Sequence, residues 1–284
     1  MGEPMAARLA AMGEVIVFDT RPEAVAPFAN IATSAACVAA QADIVFACLT
    51  DPDDYRLAVL GPDGLLQGGR MRHYVHLGTS GPPLVVELAQ GLARRDIAVL
   101  DAPITGGPGR ARDGSLTAMV AGPAESLALA LPLLRTFAST IVNLGLQPGA
   151  AQTMKLINNA ISLANLAVAS EAMLLGAKVG IPAEAMLAVI NHGSGQNSAT
   201  LTKIPNHTLT RGFDYGGSLH VVIKDLELFV ANAGAAGAPS RLTQAVLAAY
   251  HTARAEGGPG DDVTTVIRPM ERASGVELHA TPNT

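Results

Sequence analysis

"TIVNLGLQPGAAQTMKLINNAISLANLA", residues 140–167, decides how the chain is read, because a strand pattern ends in it and a long helical one begins. From Ala150 to Gly180 there is no proline and little β-branching, which predicts a helix of about 28 residues, roughly 42 Å long. Lys155, Asn158, Ser162 and Asn165 are spaced three, four and three apart and so share one face. The other faces carry Leu156, Ile157, Ile161, Leu163, Leu166, Met173 and Leu174, a pattern typical of a helix buried on several sides. A lysine on such a helix is costly unless it is paired, reaches water or does chemistry.

Upstream of this helix, short apolar runs alternate with helical patterns. The strands expected are 14–19 ("EVIVFD"), 44–49 ("IVFACL"), 73–77, 97–101, 116–122 and 140–144. Helices are expected around 4–11, 22–29, 52–59, 83–94 and 124–137. Near-continuous apolar strands separated by helices predict an α/β Rossmann-type, doubly wound parallel sheet covered on both faces. Downstream the strand signal stops, and helices are expected at about 150–179, 182–191, 219–235 and 240–254. The reading is therefore an α/β domain over 1–147 and an all-α domain over 148–284, with "SGVELHATPNT" as a tail. The first turn of the lysine helix would then face the crevice where open α/β sheets bind ligands.

The composition narrows the function. With 284 residues, 49% hydrophobic and 15% charged, and a net charge of -5, the chain has ample core and no basic surface for nucleic acid. Tryptophan is absent and aromatics make up 4%, against a base-stacking platform. Cys37 and Cys48 fit neither a disulfide framework nor a metal spacing, and His73 and His76 would point to opposite faces of a strand, so no metal is expected. Without a secretory signal or 18 uninterrupted apolar residues, a cytoplasmic protein with no membrane partner is expected.

Several motifs sit where such a sheet places ligand loops. Asp19 ends an apolar strand, where an acidic residue can accept hydrogen bonds from a dinucleotide's ribose hydroxyls, although aspartate also serves there as a turn residue or helix cap. Arg21 nearby could meet a 2′-phosphate, so the cofactor choice leans to NAD and leaves NADP open. "ACLTDPDD" and "HLGTSGPP" follow strands and offer Thr50, Thr79 and Ser80 as donors or as helix caps. "DAPITGGPGRARDGSLTAMVAG" packs five glycines between two strands, and Thr105, Gly106 and Gly107 can present backbone N–H groups to a carboxylate. An ammonium at Lys155, desolvated in a cleft, suits proton exchange with a carbonyl or alcohol oxygen.

Together these motifs resemble the β-hydroxyacid dehydrogenase family, the 3-hydroxyisobutyrate dehydrogenases and tartronate semialdehyde reductases. The likeness runs from "MGEPMAARLA" through "DAPITGG", "GAAQTMKLINN" and "KDLELFVANA" to "GPGDDVTTVI". The resemblance implies an NAD(P)-dependent oxidoreductase interconverting a small β-hydroxy acid and its semialdehyde or keto acid. It implies Lys155 as catalytic acid/base, Asn159 holding the substrate, and Thr105, Gly106 and Gly107 as the substrate-carboxylate loop. It also implies Gly2, Asp19, Leu49, Thr50, Thr79 and Lys224 as cofactor contacts, and a homodimer or homotetramer. Departures are Thr105 for serine, Ala151 for a second glycine, and His76 for aspartate. The alternatives are a non-catalytic nucleotide-binding relative and a reductase of another carbonyl or imine, although imine-reducing relatives lack the lysine. The family opens with a strand running into G-x-G-x-x-G. Here "MGEPMA" starts at residue 1, so Gly2 stands as the third glycine, the first strand is missing, and a longer natural protein is expected.

Overall fold

The computed structural model describes residues 1–258 and 260–280, in two compact units, Met1–Lys155 and Leu156–Thr284. The first unit runs α1 (Gly2–Ala10), β1 (Ile16–Val17), α2 (Pro22–Val25), β2 (Asn30–Ile31), α3 (Ala35–Ala39), β3 (Ile44–Ala47), α4 (Pro52–Leu60) and β4 (His73–His76). It continues through α5 (Pro82–Ala93), β5 (Ala98–Asp101), β6 (Ile104–Thr105), α6 (Gly107–Asp113), β7 (Leu116–Val120), α7 (Ala124–Leu134) and β8 (Ala138–Asn143). The next helix, α8 (Ala150–Lys178), begins in this unit and ends in the second.

β3, β4 and β5 pair in parallel, with Tyr74 opposite both Val45 and Val99. β7 and β8 are also parallel, while β6 runs antiparallel to β7. The expected parallel sheet is present; among the described residues its strands fall into two three-stranded sets, joined by a bridge between Asp101 and Ala121, with a separate β1–β2 pair. The strand expected over 14–19 shrinks to Ile16–Val17, because among the described residues it has a partner on one edge only. The five-glycine stretch is not an open loop. Gly106 and Gly107, at φ 137° and 79°, turn the chain into α6, which Gly114 closes in the left-handed region. α3 was not anticipated; Ser34 caps it, its Oγ accepting from Cys37 N at 3.1 Å.

The start of α8 is held by buried polar groups. Gly149, at φ 90°, has Pro82 so close that a Cβ would meet it at 2.9 Å. Gly149 N and Gln152 N each donate to Oδ2 of Asp101 at 3.1 Å, and Gln152 Nε2 donates to its Oδ1 at 2.8 Å. Nε2 also donates to Gly78 O at 3.0 Å, and Oε1 accepts from Ser80 N and Gly81 N at 2.9 and 3.1 Å. Every hydrogen-bonding site of the Gln152 amide is thereby used. Asp101 and Gln152 are both fully buried.

In the second unit, the remainder of α8 packs with α9 (Ala183–His192), α10 (Leu219–Ala235), α11 (Arg241–Glu256) and α12 (Ile267–Ser274). A π-helical segment, Ala199–Thr208, and a short 3₁₀ turn, Val263–Val266, complete it. Leu166, Met173, Ile204, Leu219, Leu226 and Val266 centre the core, and Tyr250 Oη donates to Leu163 O at 3.1 Å. α8 is long and apolar enough to cross a membrane by length and composition alone; half of its most apolar stretch is buried in the protein. The expected tail is docked over 275–280. Arg211 pairs with Glu271 and Glu277 at 2.6 and 2.8 Å, and Leu278 is buried. Residues 281–284 of that expected tail lie outside the described residues.

Burial pushes the Asp101 carboxyl up to about 6, against the hydrogen bonds from Gln152 and Gly149 that favour its ionised form. Its folded value lies above the ordinary carboxylate value, so its contribution to stability is full below about pH 4 and is lost as pH rises through about 6. A rise of that size corresponds to on the order of 3 kcal/mol. Denaturant titrations from pH 4 to 7 should show this fall in the wild type; Asp101→Asn should lack it. Equal pH slopes for the two proteins would contradict the raised value.

Candidate functional site

The parallel run β3–β4–β5 brings three carboxyl-terminal loops to one edge of the first unit: Cys48–Asp51, Leu77–Gly81 and Ala102–Gly107. Tyr55 of α4 braces two of them from beneath. Its buried hydroxyl accepts from Leu49 N at 2.7 Å, and Gly78 lies so near that an added Cβ would stand 1.9 Å from it. Only glycine fits at 78. The Tyr55 ring also packs on His76, with centroids 4.1 Å apart. His76 is fully buried and bonded at both nitrogens, Nδ1 to Tyr74 Oη at 3.0 Å and Nε2 to Ser80 Oγ at 2.8 Å. His73 meets Ser126 instead, so the two histidines contact different partners, as strand alternation requires. The histidine that replaces the family's aspartate thus ties strand β4 to the loop carrying Thr79.

The candidate cofactor residues line this edge. Leu49 and Thr79 are half-buried and Thr50 is exposed. The first turn of α1 has no side-chain cap, and a side chain on Gly2 would touch Cys48 at 4.0 Å, which sets the helix N-terminus beside the end of β3. An uncapped helix N-terminus there suits a phosphate group. Asp19 follows β1 and is gripped by Arg21, whose backbone N, Nε and Nη2 lie 2.9, 3.2 and 3.3 Å from its carboxylate oxygens. Partial burial pushes the Asp19 carboxyl up, but the Arg21 hydrogen bonds and charge outweigh it and hold it below the ordinary value. Asp19 is therefore both a turn residue and an ion-pair partner of Arg21.

Lys155 lies in the same unit, 9% exposed, one turn after Ala151 on α8. Burial raises the Cys48 thiol, while the charges of the Met1 amino group and of Lys155 act on it in the opposite sense. Lys155 thus contributes positive charge to the surroundings of Cys48, the residue after β3. Ala151, where a second glycine was expected, is fully buried against Met119 and Ala121, so its methyl fills space in the hydrophobic packing. Thr105 and Gly106–Gly107 form the turn from β6 into α6. Gly106, at φ 137°, holds a conformation that side chains rarely adopt, and a Cβ there would press on Leu116 at 3.0 Å.

The second unit holds a matching cluster. Asn159 Nδ2 donates to Oδ2 of Asp225 at 2.6 Å, and Asn158 Nδ2 donates to Asn159 Oδ1 at 3.1 Å. Lys224 Nζ lies 2.9 Å from Asp225 Oδ1; the contact is an ion pair without hydrogen-bond alignment. Lys224 is 12% exposed at its side chain. Asp225 thus joins two residues that the family resemblance named separately. Asp101, Gln152 and Tyr55 escaped the sequence reading. Asp101 and Gln152 are polar residues in an apolar surrounding that meet across 51 residues of chain, while Tyr55 reaches back to Leu49 around a turn.

Residues 1–145 match the family model for the NAD binding domain of 6-phosphogluconate dehydrogenase. Residues 149–270 match that for NAD-binding of NADP-dependent 3-hydroxyisobutyrate dehydrogenase. The 3-hydroxyisobutyrate dehydrogenase of Pseudomonas aeruginosa is 33% identical over 85% of this chain and 85% of its own. The 2-(hydroxymethyl)glutarate dehydrogenase of Eubacterium barkeri is 30% identical over 98% and 94%. A crystal structure of 3-hydroxyisobutyrate dehydrogenase from Salmonella typhimurium superposes with a TM-score of 0.84 at 26% identity, covering 94% of this chain and 95% of that one. With a parallel-sheet unit, a helical unit and a buried lysine on the helix that starts in the first and ends in the second, the chain belongs to the β-hydroxyacid dehydrogenase family.

Proposed function

We propose that this protein is an NAD(P)-dependent dehydrogenase that interconverts a small β-hydroxy acid and its semialdehyde or keto acid. The observation that carries this reading is Lys155, nearly buried on α8, with Asn159 one helical turn further along the same helix. The residues at the sheet edge fit a dinucleotide: an acidic side chain after β1, an uncapped helix N-terminus, and loops braced close to the backbone by Tyr55. A bound nicotinamide supplies the hydride-transfer chemistry.

The chain's own residues supply position and a proton. Gly106 and Gly107, in backbone conformations that favour glycine, offer N–H groups to the substrate carboxylate. In the oxidation direction, the substrate hydroxyl gives its proton to the Lys155 amine; in reduction, the ammonium returns it to the carbonyl oxygen. Asn159 holds that oxygen, its own orientation set by Asp225, which also seats Lys224 for the cofactor.

NAD is the preferred cofactor on this reading, through Asp19, while Arg21 keeps NADP accessible. The relatives' names include a monocarboxylate, 3-hydroxyisobutyrate, and a dicarboxylate, 2-(hydroxymethyl)glutarate. The number of carboxylates on the substrate is therefore the main distinction to be made within the class. Exposed Ile161, Val168, Leu175 and Val189 support assembly as a homodimer or homotetramer. The two unpaired thiols support a cytoplasmic location.

Oxidation of NADH and NADPH in the presence of short semialdehydes tests the activity directly. Lys155→Ala should lower turnover by about 10²–10⁴-fold with cofactor affinity nearly unchanged; a variant that kept near-full turnover would remove Lys155 from the chemistry. Asp19→Ala should weaken NADH binding by about 10- to 100-fold, as loss of a charged hydrogen-bond acceptor does, and NADPH binding much less. Fluorescence titration with both cofactors would show it, and an unchanged ratio of affinities would leave Asp19 as a turn residue alone.

A further inference from the structure

A third buried lysine has no part in the machinery described above. Lys203, on the π-helical segment of the second unit, is 5% exposed. Its Nζ donates to Ser162 Oγ at 3.1 Å and Ser198 Oγ at 3.3 Å, and it lies 5.2 Å from the centroid of the Tyr215 ring. Among the described residues no carboxylate pairs with it, and burial lowers its pKa. Lys224 in the same unit has Asp225 as its counter-charge, whereas Lys203 has only hydroxyls and a ring face. An ammonium without a counter-ion in such surroundings is a poor stability element. It is well suited to an anion that arrives with the ligand.

Its surroundings indicate which anion. Ser162 belongs to the polar face of α8 and stands three residues after Asn159, so the two side chains are neighbours, roughly 5–6 Å apart at Cβ. Ser198 closes the other side, from the stretch "GSGQNSAT". One ammonium and two hydroxyl donors match the single charge and the two oxygens of a carboxylate. Four carbon–carbon bonds of about 1.5 Å each, extended, cover roughly 5 Å. That is the distance from a carbinol carbon beside Asn159 to a distal carboxylate beside Ser162.

We propose that Lys203, with Ser162 and Ser198, forms a specificity-determining subsite for a second carboxylate, so that the preferred substrate is a β-hydroxy acid carrying two carboxylates. This rests on the dehydrogenase reading for the placement of the first carboxylate and the hydroxyl. Phosphorylated hydroxy acids, which bring a second negative charge, are matched less well by a single ammonium.

The test compares 2-(hydroxymethyl)glutarate with 3-hydroxyisobutyrate in the wild type and in Lys203→Met. It adds calorimetric binding of glutarate to the cofactor-loaded protein, and thermal denaturation of each form. The wild type should favour the diacid at least tenfold in kcat/KM. Lys203→Met should lower the diacid-to-monoacid ratio 10- to 100-fold through KM, abolish glutarate binding, and leave the melting temperature equal or higher, since an unpaired buried charge has been removed. Ser162→Ala, a smaller change, should lower the ratio several-fold and serves where the methionine variant does not fold. A wild type that prefers the monoacid, or variants that slow both substrates equally with a lower melting temperature, would overturn the subsite. Failure of the wild type to turn over either substrate would instead refute the dehydrogenase reading. Glutarate binding, lost or kept in Lys203→Met, would then still decide the subsite.

Discussion

The contact between Asp101 and Gln152 constrains the rest of the first unit. A carboxylate with no exposure is unfavourable unless its oxygens are satisfied, and here Gln152 and the amide of Gly149 satisfy them. The same glutamine then has exactly enough remaining capacity to bind Gly78 O, Ser80 N and Gly81 N. One side chain therefore joins the end of β5, the loop after β4 and the first turn of α8. The helix N-terminus adds its own favourable field at the carboxylate. Lys155 follows three residues later, so its position is set by a helix whose start has little freedom.

Carboxylates recur in this role. In the second unit Asp225 is 4% exposed and spans Asn159 and Lys224, fixing an amide and an ammonium from two helices. Glu271, 6% exposed, takes Arg211 on one side and the Leu278 amide on the other, which draws the chain after α12 back onto the unit. In each case burial is tolerated because several donors converge on one carboxylate. Lys203 is the exception, a buried cation without such a partner, and for that reason it stands out from the structural set.

Much of the fold was legible because periodicity is local. β3, β4, β5, β7 and α8 announce themselves as apolar runs and a long stripe, and each lies close to where the pattern puts it. α3, α6 and the π-helical segment were not legible. The first has five residues, the second hides among glycines, and the third contains Pro205, which ordinarily argues against a helix. The site divides the same way. Lys155 could be singled out from one stripe, and the family resemblance then assigned roles to it and to Asn159, Lys224 and the Thr105 turn. Asp101 and Gln152 act through partners distant in sequence, and Tyr55 and His76 through hydrogen bonds and a ring contact at turns, none of which hydrophobic periodicity reports.

The pair of Asp19 and Arg21 bears on cofactor selection. Arg21 is 68% exposed at its side chain, and an exposed ion pair of this kind contributes little to stability. Opening it is correspondingly easy. On the dehydrogenase reading, ribose hydroxyls meet Asp19 after its partner swings away, whereas a 2′-phosphate meets Arg21 and must tolerate the carboxylate two residues before it. The first arrangement leaves a mobile arginine in water, where it is well solvated. The second sets two negative groups close together with one guanidinium between them. The difference between the two arrangements is small, because the same arginine that lowers the affinity of Asp19 for hydroxyls also screens its repulsion of phosphate.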